Sequence, residues 1–363
     1  MKENKIYQFL FSALKAGLSG EKINLDLLRS LNSNDWQSIV SLVQQHNITP
    51  LVCDGLAAVR DMVPANIFAM IAGLTLIAED KYAARLQVIE DLGQLFAEHK
   101  IPFMVLKGYG ISLYYPKPIH RAFSDVDMYS LGSFQKADDI LQESLGIGIS
   151  NEVHHHTTCV YKGILIENHY DIINTVQHRS NARFEEILKD EAAKDIKEHS
   201  IGEFKILLPS AMFNALFLMR HMAMHYAAER VSLRHLCDWM LFIKAEYNNI
   251  DWARVDELYQ QFNMKRFADA ITGICIEHLG LSADYIPNTI RDKALESRIL
   301  NDIVFSEFKE KKPNKGFIRI VWWKMRRYFS NRWKHTLIYN ESWVWTFFTA
   351  IYAHLLKPKT ITH

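Results

Sequence analysis

With 363 residues, 49% of them hydrophobic, the chain has room for one large domain or two to three small ones around a sizeable core. Acidic and basic residues nearly cancel, at a formal net charge of +1, which argues against a wholesale nucleic-acid binder but leaves room for a local basic patch. Four cysteines (Cys53, Cys159, Cys237, Cys275) lie far apart with no CxxC pair, which argues against a zinc ribbon or disulfide framework and for a reducing, cytoplasmic compartment.

The N-terminal Met1-Lys2-Glu3-Asn4-Lys5 leads into a short apolar stretch broken by Gln8, Ser12 and Lys15, with no small-residue cleavage site of the signal-peptide kind. The first hundred residues read as helices. One starts at Asp35-Trp36, capped by Asp35 or Asn34, with Ile39, Val40, Leu42 and Val43 as its apolar stripe. It ends in His46-Asn47-Ile48-Thr49-Pro50, because the residue before a proline avoids the helical region. A second helix is expected over 80–99. The texture changes at Ile101: 101–106 is a short apolar run that reads as a buried strand, broken by Lys107-Gly108-Tyr109-Gly110. A short helix over 111–115 follows, stopped by Pro116 and Pro118. A second strand is expected over 124–129, then a hairpin of 157–161 and 164–171 around Lys162-Gly163.

Helical periodicity returns over 211–300. There Asp251-Trp252 repeats the Asp35-Trp36 start, and both pairs are followed at the same spacing by Gln-Gln. A recurrent way of starting a helix accounts for this better than an old duplication. Residues 309–315 form a charged linker with Pro313, and 317–335 mix aromatics with Arg319, Lys324, Arg326, Arg327, Arg332 and Lys334. No apolar run spans a bilayer comfortably; the nearest, 343–356, is short and carries Thr346, Thr349 and His354. The expected fold is α+β: a helical N-terminal region (1–95), a small mixed-sheet core (96–208), a helical C-terminal region (209–310) and a basic-aromatic helical tail (311–363).

Chemistry concentrates at Ser124-Asp125-Val126-Asp127-Met128. Residues two apart on a strand face the same side, so Asp125 and Asp127 project together beside residues that belong in a core. Like charges that close repel, and a divalent cation such as Mg²⁺ or Mn²⁺ removes the penalty while also binding substrate phosphates. An Asp-x-Asp alone is more often an exposed strand with solvated carboxylates. Its context is more specific. Upstream, Leu106-Lys107-Gly108 ends a strand where glycine lets a backbone approach phosphate, a helix start offers N–H groups and Lys107 adds charge. Downstream, Ile164-Leu165-Ile166-Glu167-Asn168-His169 is a strand with a third carboxylate. This order suits nucleotidyl transfer: Asp125 and Asp127 hold metal on a triphosphate, and Glu167 completes a second metal site or accepts the proton of an attacking hydroxyl.

At these residues the chain resembles the large bacterial group of uncharacterised nucleotidyltransferases in the DNA polymerase β-like superfamily. The resemblance covers roughly 30–280 and rests on several motifs in order. These are Trp36 with His46-Asn47-Ile48-Thr49-Pro50-Leu51; Val105-Leu106-Lys107-Gly108, Tyr115-Pro116, Arg121 and Ser124-Asp125-Val126-Asp127; Ile166-Glu167-Asn168-His169-Tyr170; and His221, His225, Leu233-Arg234-His235-Leu236-Cys237-Asp238 and Ile250-Asp251-Trp252. It implies a Mg²⁺- or Mn²⁺-dependent enzyme that moves NMP from an NTP to an acceptor: a small molecule, a sugar phosphate, RNA or a protein. Asp125, Asp127 and Glu167 are its implied metal-binding and catalytic residues, and Lys107, Gly108, Arg121 and His169 its implied nucleotide-binding set. Three departures stand out. The phosphate turn is Lys107-Gly108 rather than Gly-Gly or Gly-Ser, its distance to Asp125 is longer than the superfamily norm, and Asn168 stands where an apolar residue is usual.

Several other residues have competing readings. Arg121 contacts the triphosphate or braces Asp125. His169 orients a carboxylate, touches substrate or is a satisfied structural histidine. His154-His155-His156 on an extended chain would point to alternating sides, so at most two could share an ion; a solvated loop is expected, ahead of contact with substrate and then of a metal site. His221 and His225, four apart on a helix, close over the nucleotide or make packing contacts; Arg234 and Asp238, also four apart, are expected to pair. The methionines Met212, Met219, Met222 and Met224 are expected in the core. The tail packs on the helical domain, touches an anionic membrane surface over 317–356, or binds RNA. Three rival functions follow: a non-catalytic nucleotide-binding module, a metal-dependent glycosyltransferase using Asp-x-Asp, and a membrane-surface adaptor.

Overall fold

A computed structural model describes residues 5–228 and 230–356 of the chain; residues 1–4, the start of the N-terminus read above, lie outside the described residues. At the centre is a mixed six-stranded sheet, flanked by helices on both sides in sequence. Its strands are β1 (Met104–Val105), β2 (Asp125–Tyr129), β3 (His156–Tyr161), β4 (Ile164–His169), β5 (Lys197–Ile201) and β6 (Phe204–Leu208), in the order β3-β4-β2-β1-β6-β5. β2 runs parallel to β4 and antiparallel to β1, and β1 runs parallel to β6.

β1 is shorter than the expected 101–106, but its pairing extends beyond it: Leu106 N–H donates to the Asp127 carbonyl at 3.1 Å and Leu207 N–H to the Phe103 carbonyl at 2.8 Å. The β3–β4 hairpin turns through Lys162 (φ 49°) and Gly163 (φ 76°), two successive left-handed residues of the kind that match strand twist. The β5–β6 hairpin was not expected from sequence. β5 is an edge strand in which only Ile201 is buried, and an edge needs little apolar content.

Alternation along β2 divides the sheet into two faces. Val126 and Met128 pack with Val105, Cys159 and Ile166 beneath the helices Ala65–Glu98 and Phe134–Leu145. Asp125, Asp127 and Tyr129 face the other way, toward the larger core formed by both helical regions. The 34-residue helix Ala65–Glu98 links the two cores, with Ile67 and Ile71 in one and Val88, Ile89, Leu92 and Phe96 in the other. Sequence reading found only its second half, because Met70, Leu76 and Ile77 are exposed and erase the apolar stripe of the first.

The helix Ser33–Gln45 is capped by Asn32, not by Asp35 or Asn34 as expected; Asp35 is the reciprocal partner of a capping box. Asp251, by contrast, is itself the N-cap of Trp252–Gln261, so the two Asp-Trp pairs sit at different positions of their helices. Thr49-Pro50 opens a new helix, Thr49–Ala57, which packs on Lys5–Ser19. At that crossing the backbones nearly touch: a Cβ on Gly17 would lie 2.1 Å from the Leu51 carbonyl oxygen, and one on Gly55 would lie 2.1 Å from that of Ala13. Neither helix can yield without moving the other, so Gly55→Ala is expected to cost at least about 1–3 kcal/mol, read as a lower denaturation midpoint at unchanged slope.

Met219 and Met222 are fully in the core, with Met212 and Met224 packed against it. In the tail, Arg332–Ile338 docks firmly: Lys334 pairs with Asp302 at 2.6 Å, both buried, and Leu337, Ile338 and Tyr339 join the larger core. Its neighbours Phe317–Ser330 and Trp343–Leu356 stack on each other through Tyr328, Phe329, Trp343 and Phe347. Among the described residues no helix is long and apolar enough to cross a membrane.

Candidate active site

The parallel register of β2 and β4 pairs Asp127 with Glu167 and Tyr129 with His169, while Asp125 stands two residues away on the same face. Three carboxylates therefore share one side of two adjacent strands. Asp127 is 1% exposed and Glu167 17%. The Asp127 Oδ1 atom accepts from Lys107 Nζ at 2.9 Å and from His169 Nε2 at 3.2 Å, whereas its Oδ2 is buried with no partner. Burial pushes the Asp127 carboxyl up, but Lys107 and His169 outweigh it and hold the group well below the usual carboxylate range.

His169 is oriented from both ends. Its Nδ1 donates to the Asp171 carbonyl at 3.1 Å, which directs Nε2 toward Asp127 and Glu167. Burial alone would lower its pKa; hydrogen bonds to the two carboxylates carry it to about 9, so the ring is an imidazolium. Lys107 sits between Asp127 and the helix Ala211–Ala228, where His221 Nε2 lies 3.1 Å from its Nζ and His225 follows 3.2 Å beyond. His221 and His225 thus make their packing contacts beside the site, through Lys107.

The histidine run departs from expectation. Residues 153–155 form a bend before β3, and the Tyr170 and Asp171 N–H groups donate to the His155 carbonyl at 3.2 and 3.0 Å. The bend cancels strict alternation, so His155 and His156 both turn inward; their ring centroids lie 4.3 Å apart, and 5.4 and 4.9 Å from that of His169. His156 Nε2 is 3.7 Å from Glu167 Oε1. Burial holds His156 down at about 4 and His155 well below its ordinary value, so both rings are neutral. This pair is not a solvated loop.

Arg121 does not brace Asp125. Its guanidinium pairs with both oxygens of Asp238, at 2.8 and 2.9 Å, and donates to the Gly108 carbonyl at 2.8 Å. Gly108 has φ 51°, which favours glycine, and a Cβ there would meet the Phe123 ring at 3.3 Å, so the ring would have to give slightly. The helix after it is a single turn, Tyr109–Ser112. Asp238 also accepts from Tyr115 Oη at 2.6 Å; Arg234, its expected partner, stands 3.8 Å off and donates to the Ala122 carbonyl. Two arginines not singled out for the site, Arg85 and Arg234, lie in the electrostatic reach of Asp125, which with Lys107 gives its surroundings a cationic rim. Asn168, unusual for its position, points to the opposite face and ties β4 to the helix Phe134–Leu145 through the Phe134 carbonyl and Asp138.

The donor set fits a divalent cation: Asp127, Glu167 and His169 each bring one donor atom within 4.8 Å of the others, Asp125 stands on the same face of β2, and Asp127 Oδ2 is buried and unused. The mixed sheet thus carries Asp-x-Asp on β2 and a third carboxylate on the adjacent parallel strand β4. A family model described as "uncharacterised nucleotidyltransferase" matches residues 32–280, and the chain belongs to that family. A solved structure described as an antigenic nucleotidyltransferase-like protein from Paracoccidioides brasiliensis is similar over 58% of this chain and 95% of its own, at 14% identity and a TM-score of 0.33. No curated protein matches the chain.

Proposed function

We propose that the protein transfers a nucleoside monophosphate from an NTP to a hydroxyl or phosphate acceptor, releasing pyrophosphate. The observation that carries this reading is the in-register pair of Asp127 and Glu167 with Asp125 beside it and Asp127 Oδ2 unused. A Mg²⁺ or Mn²⁺ ion held by Asp125, Asp127 and Glu167 would neutralise charge on the triphosphate and the leaving pyrophosphate. Lys107 supplies a fixed positive charge beside the phosphates, and Arg121 acts at a distance by holding the Gly108 carbonyl. Glu167, more exposed than Asp127, receives the acceptor proton as the new O–P bond forms and the bond to pyrophosphate breaks. Four free cysteines support a cytoplasmic setting.

The test is incubation with each α-phosphate-labelled NTP and Mg²⁺, with and without cell extract, beside Asp125→Asn/Asp127→Asn. Label moving to an extract component only with intact carboxylates supports the reaction; neither transfer nor NTP binding sinks it. One observation favours a second reading, a non-catalytic nucleotide-binding module: Lys107 and His169 already occupy Asp127 Oδ1. Metal-dependent NTP binding without transfer to any extract component would select it.

The tail adds a proposed peripheral membrane contact. Ile318, Trp322 and Phe329 on one helix and Trp345, Phe348 and Tyr352 on its stacked neighbour are exposed, together with Lys315, Arg319 and Arg326. Exposed aromatics among cations suit the interface of an anionic bilayer. Co-sedimentation with phosphatidylserine-containing vesicles is expected, absent with phosphatidylcholine alone and reduced roughly ten-fold in Trp322→Ala/Trp345→Ala. Equal sedimentation of the variant would remove the proposal.

A further inference from the structure

We propose that His155, His156 and His169, with Glu167 as a fourth donor, form a site for a transition-metal ion of the Zn²⁺ or Co²⁺ class. This goes beyond the nucleotidyl-transfer reading, since it requires neither nucleotide nor acceptor.

The geometry comes first. One ring nitrogen from each of the three histidines lies within 4.8 Å of the others. Donors on a tetrahedral ion are roughly 3.3 Å apart, given metal–nitrogen bonds of 2.0–2.1 Å, so modest side-chain rotations close the set. Glu167 borders it, with carboxylate oxygens 3.7 Å from both His156 Nε2 and His169 Nε2. Two ring nitrogens also lack partners. His155 Nδ1 and His156 Nδ1 are both buried without a hydrogen bond, and the whole of His156 is 5% exposed. A buried polar atom without a partner calls for a ligand or a role.

The supports around the set are those of a metal site. His169 Nδ1 donates to the Asp171 carbonyl, the outer contact that orients a ligating imidazole, and the ion would take the place of the proton that His169 Nε2 otherwise shares with Asp127 and Glu167. His155 is fixed through its own carbonyl by two backbone N–H groups from the end of β4. Donor chemistry then decides the ion. Imidazole nitrogen suits Zn²⁺ and Co²⁺, while Mg²⁺ prefers oxygen and keeps its waters. The two proposed sites, one mostly nitrogen and one all carboxylate, are therefore separable by metal type although they meet at Glu167 and at His169, whose Nε2 also contacts Asp127 Oδ1. An ion among the histidines would pin Glu167 and the bend at 153–155 in place.

Co²⁺ is the probe, because its visible ligand-field bands report coordination directly. The full chain, stripped by chelation, is titrated with Co²⁺ in excess Mg²⁺. Expected is saturation at one equivalent with bands that Zn²⁺ abolishes. His155→Ala, and separately His156→Ala, should each weaken Co²⁺ binding at least roughly ten-fold, while His154→Ala should not. Circular dichroism checks that each variant is folded, and His156→Gln, which keeps bulk, stands in if His156→Ala is not. Absence of Co²⁺ binding to the folded wild type would overturn the proposal. So would binding that survives the histidine substitutions but disappears in Asp125→Asn/Asp127→Asn, since the ion would then sit among the carboxylates. Co²⁺ binding at the histidines without nucleotidyl transfer leaves this inference standing and removes the reaction; transfer without Co²⁺ binding does the reverse.

Discussion

Asp127→Asn should reduce nucleotidyl transfer by roughly a thousand-fold or more in kcat/KM, since a cation at phosphoryl oxygens supplies several kcal/mol of charge stabilisation and each 1.36 kcal/mol is ten-fold. The substitution removes the charge that stands between Lys107 and His169. Those two cations would then be buried with less compensation, so part of any loss could be structural. Asp125→Asn separates the effects. Asp125 is only half-buried, yet it faces the same side of β2. A large loss of transfer in Asp125→Asn at an unchanged melting temperature would place the effect in the chemistry. Glu167→Gln should behave differently, retaining metal-dependent NTP binding while transfer falls, because its proposed task includes the acceptor proton. If all three variants kept wild-type transfer, the carboxylate face would not be the reacting site.

The site was legible in sequence where its information is local. Asp125 and Asp127 share a face because a strand has a period of two, and that follows from spacing alone. Lys162-Gly163 specified its turn for the same reason. The partnership of Asp127 with Glu167 required the register between β2 and β4, which the intervening residues do not encode by spacing. Lys107 with His221 and Arg121 with Asp238 are separated by 114 and 117 residues, so only the packing of the C-terminal helices on the sheet brings them together. His155 and His156 were misread because alternation was applied to residues that the backbone bends before the strand begins. The β5–β6 hairpin was missed because an edge strand carries a polar sequence. In each case the sequence supplied the chemistry of the residue, and tertiary geometry supplied its partner.

The pair Arg121–Asp238 yields the largest expected change in stability. Both side chains are buried, and Asp238 is also the acceptor for Tyr115. Asp238→Ala would leave a guanidinium and a phenol without their acceptor in the interior, and breaking a buried pair this way costs about 3–5 kcal/mol. Denaturation midpoints should show that loss, whereas Arg121→Met/Asp238→Leu, which removes both charges, should recover much of it. The pH dependence has a definite sign. Burial raises the Asp238 carboxyl, but Arg121 and Arg234 outweigh it and hold it below its ordinary value. A carboxyl depressed in the folded state contributes its stability above the unfolded pKa of about 3.9 and loses it as the pH falls through the folded value. The stability gap between wild type and Asp238→Asn should therefore be constant from neutral pH to about pH 5 and shrink below about pH 4. Arg121 also holds the Gly108 carbonyl, so the variant should raise KM for NTP more than it lowers kcat. A midpoint for Asp238→Ala within about 1 kcal/mol of wild type would show that the interior there relaxes or admits water, and that Gly108 is held by its own backbone conformation and by Phe123.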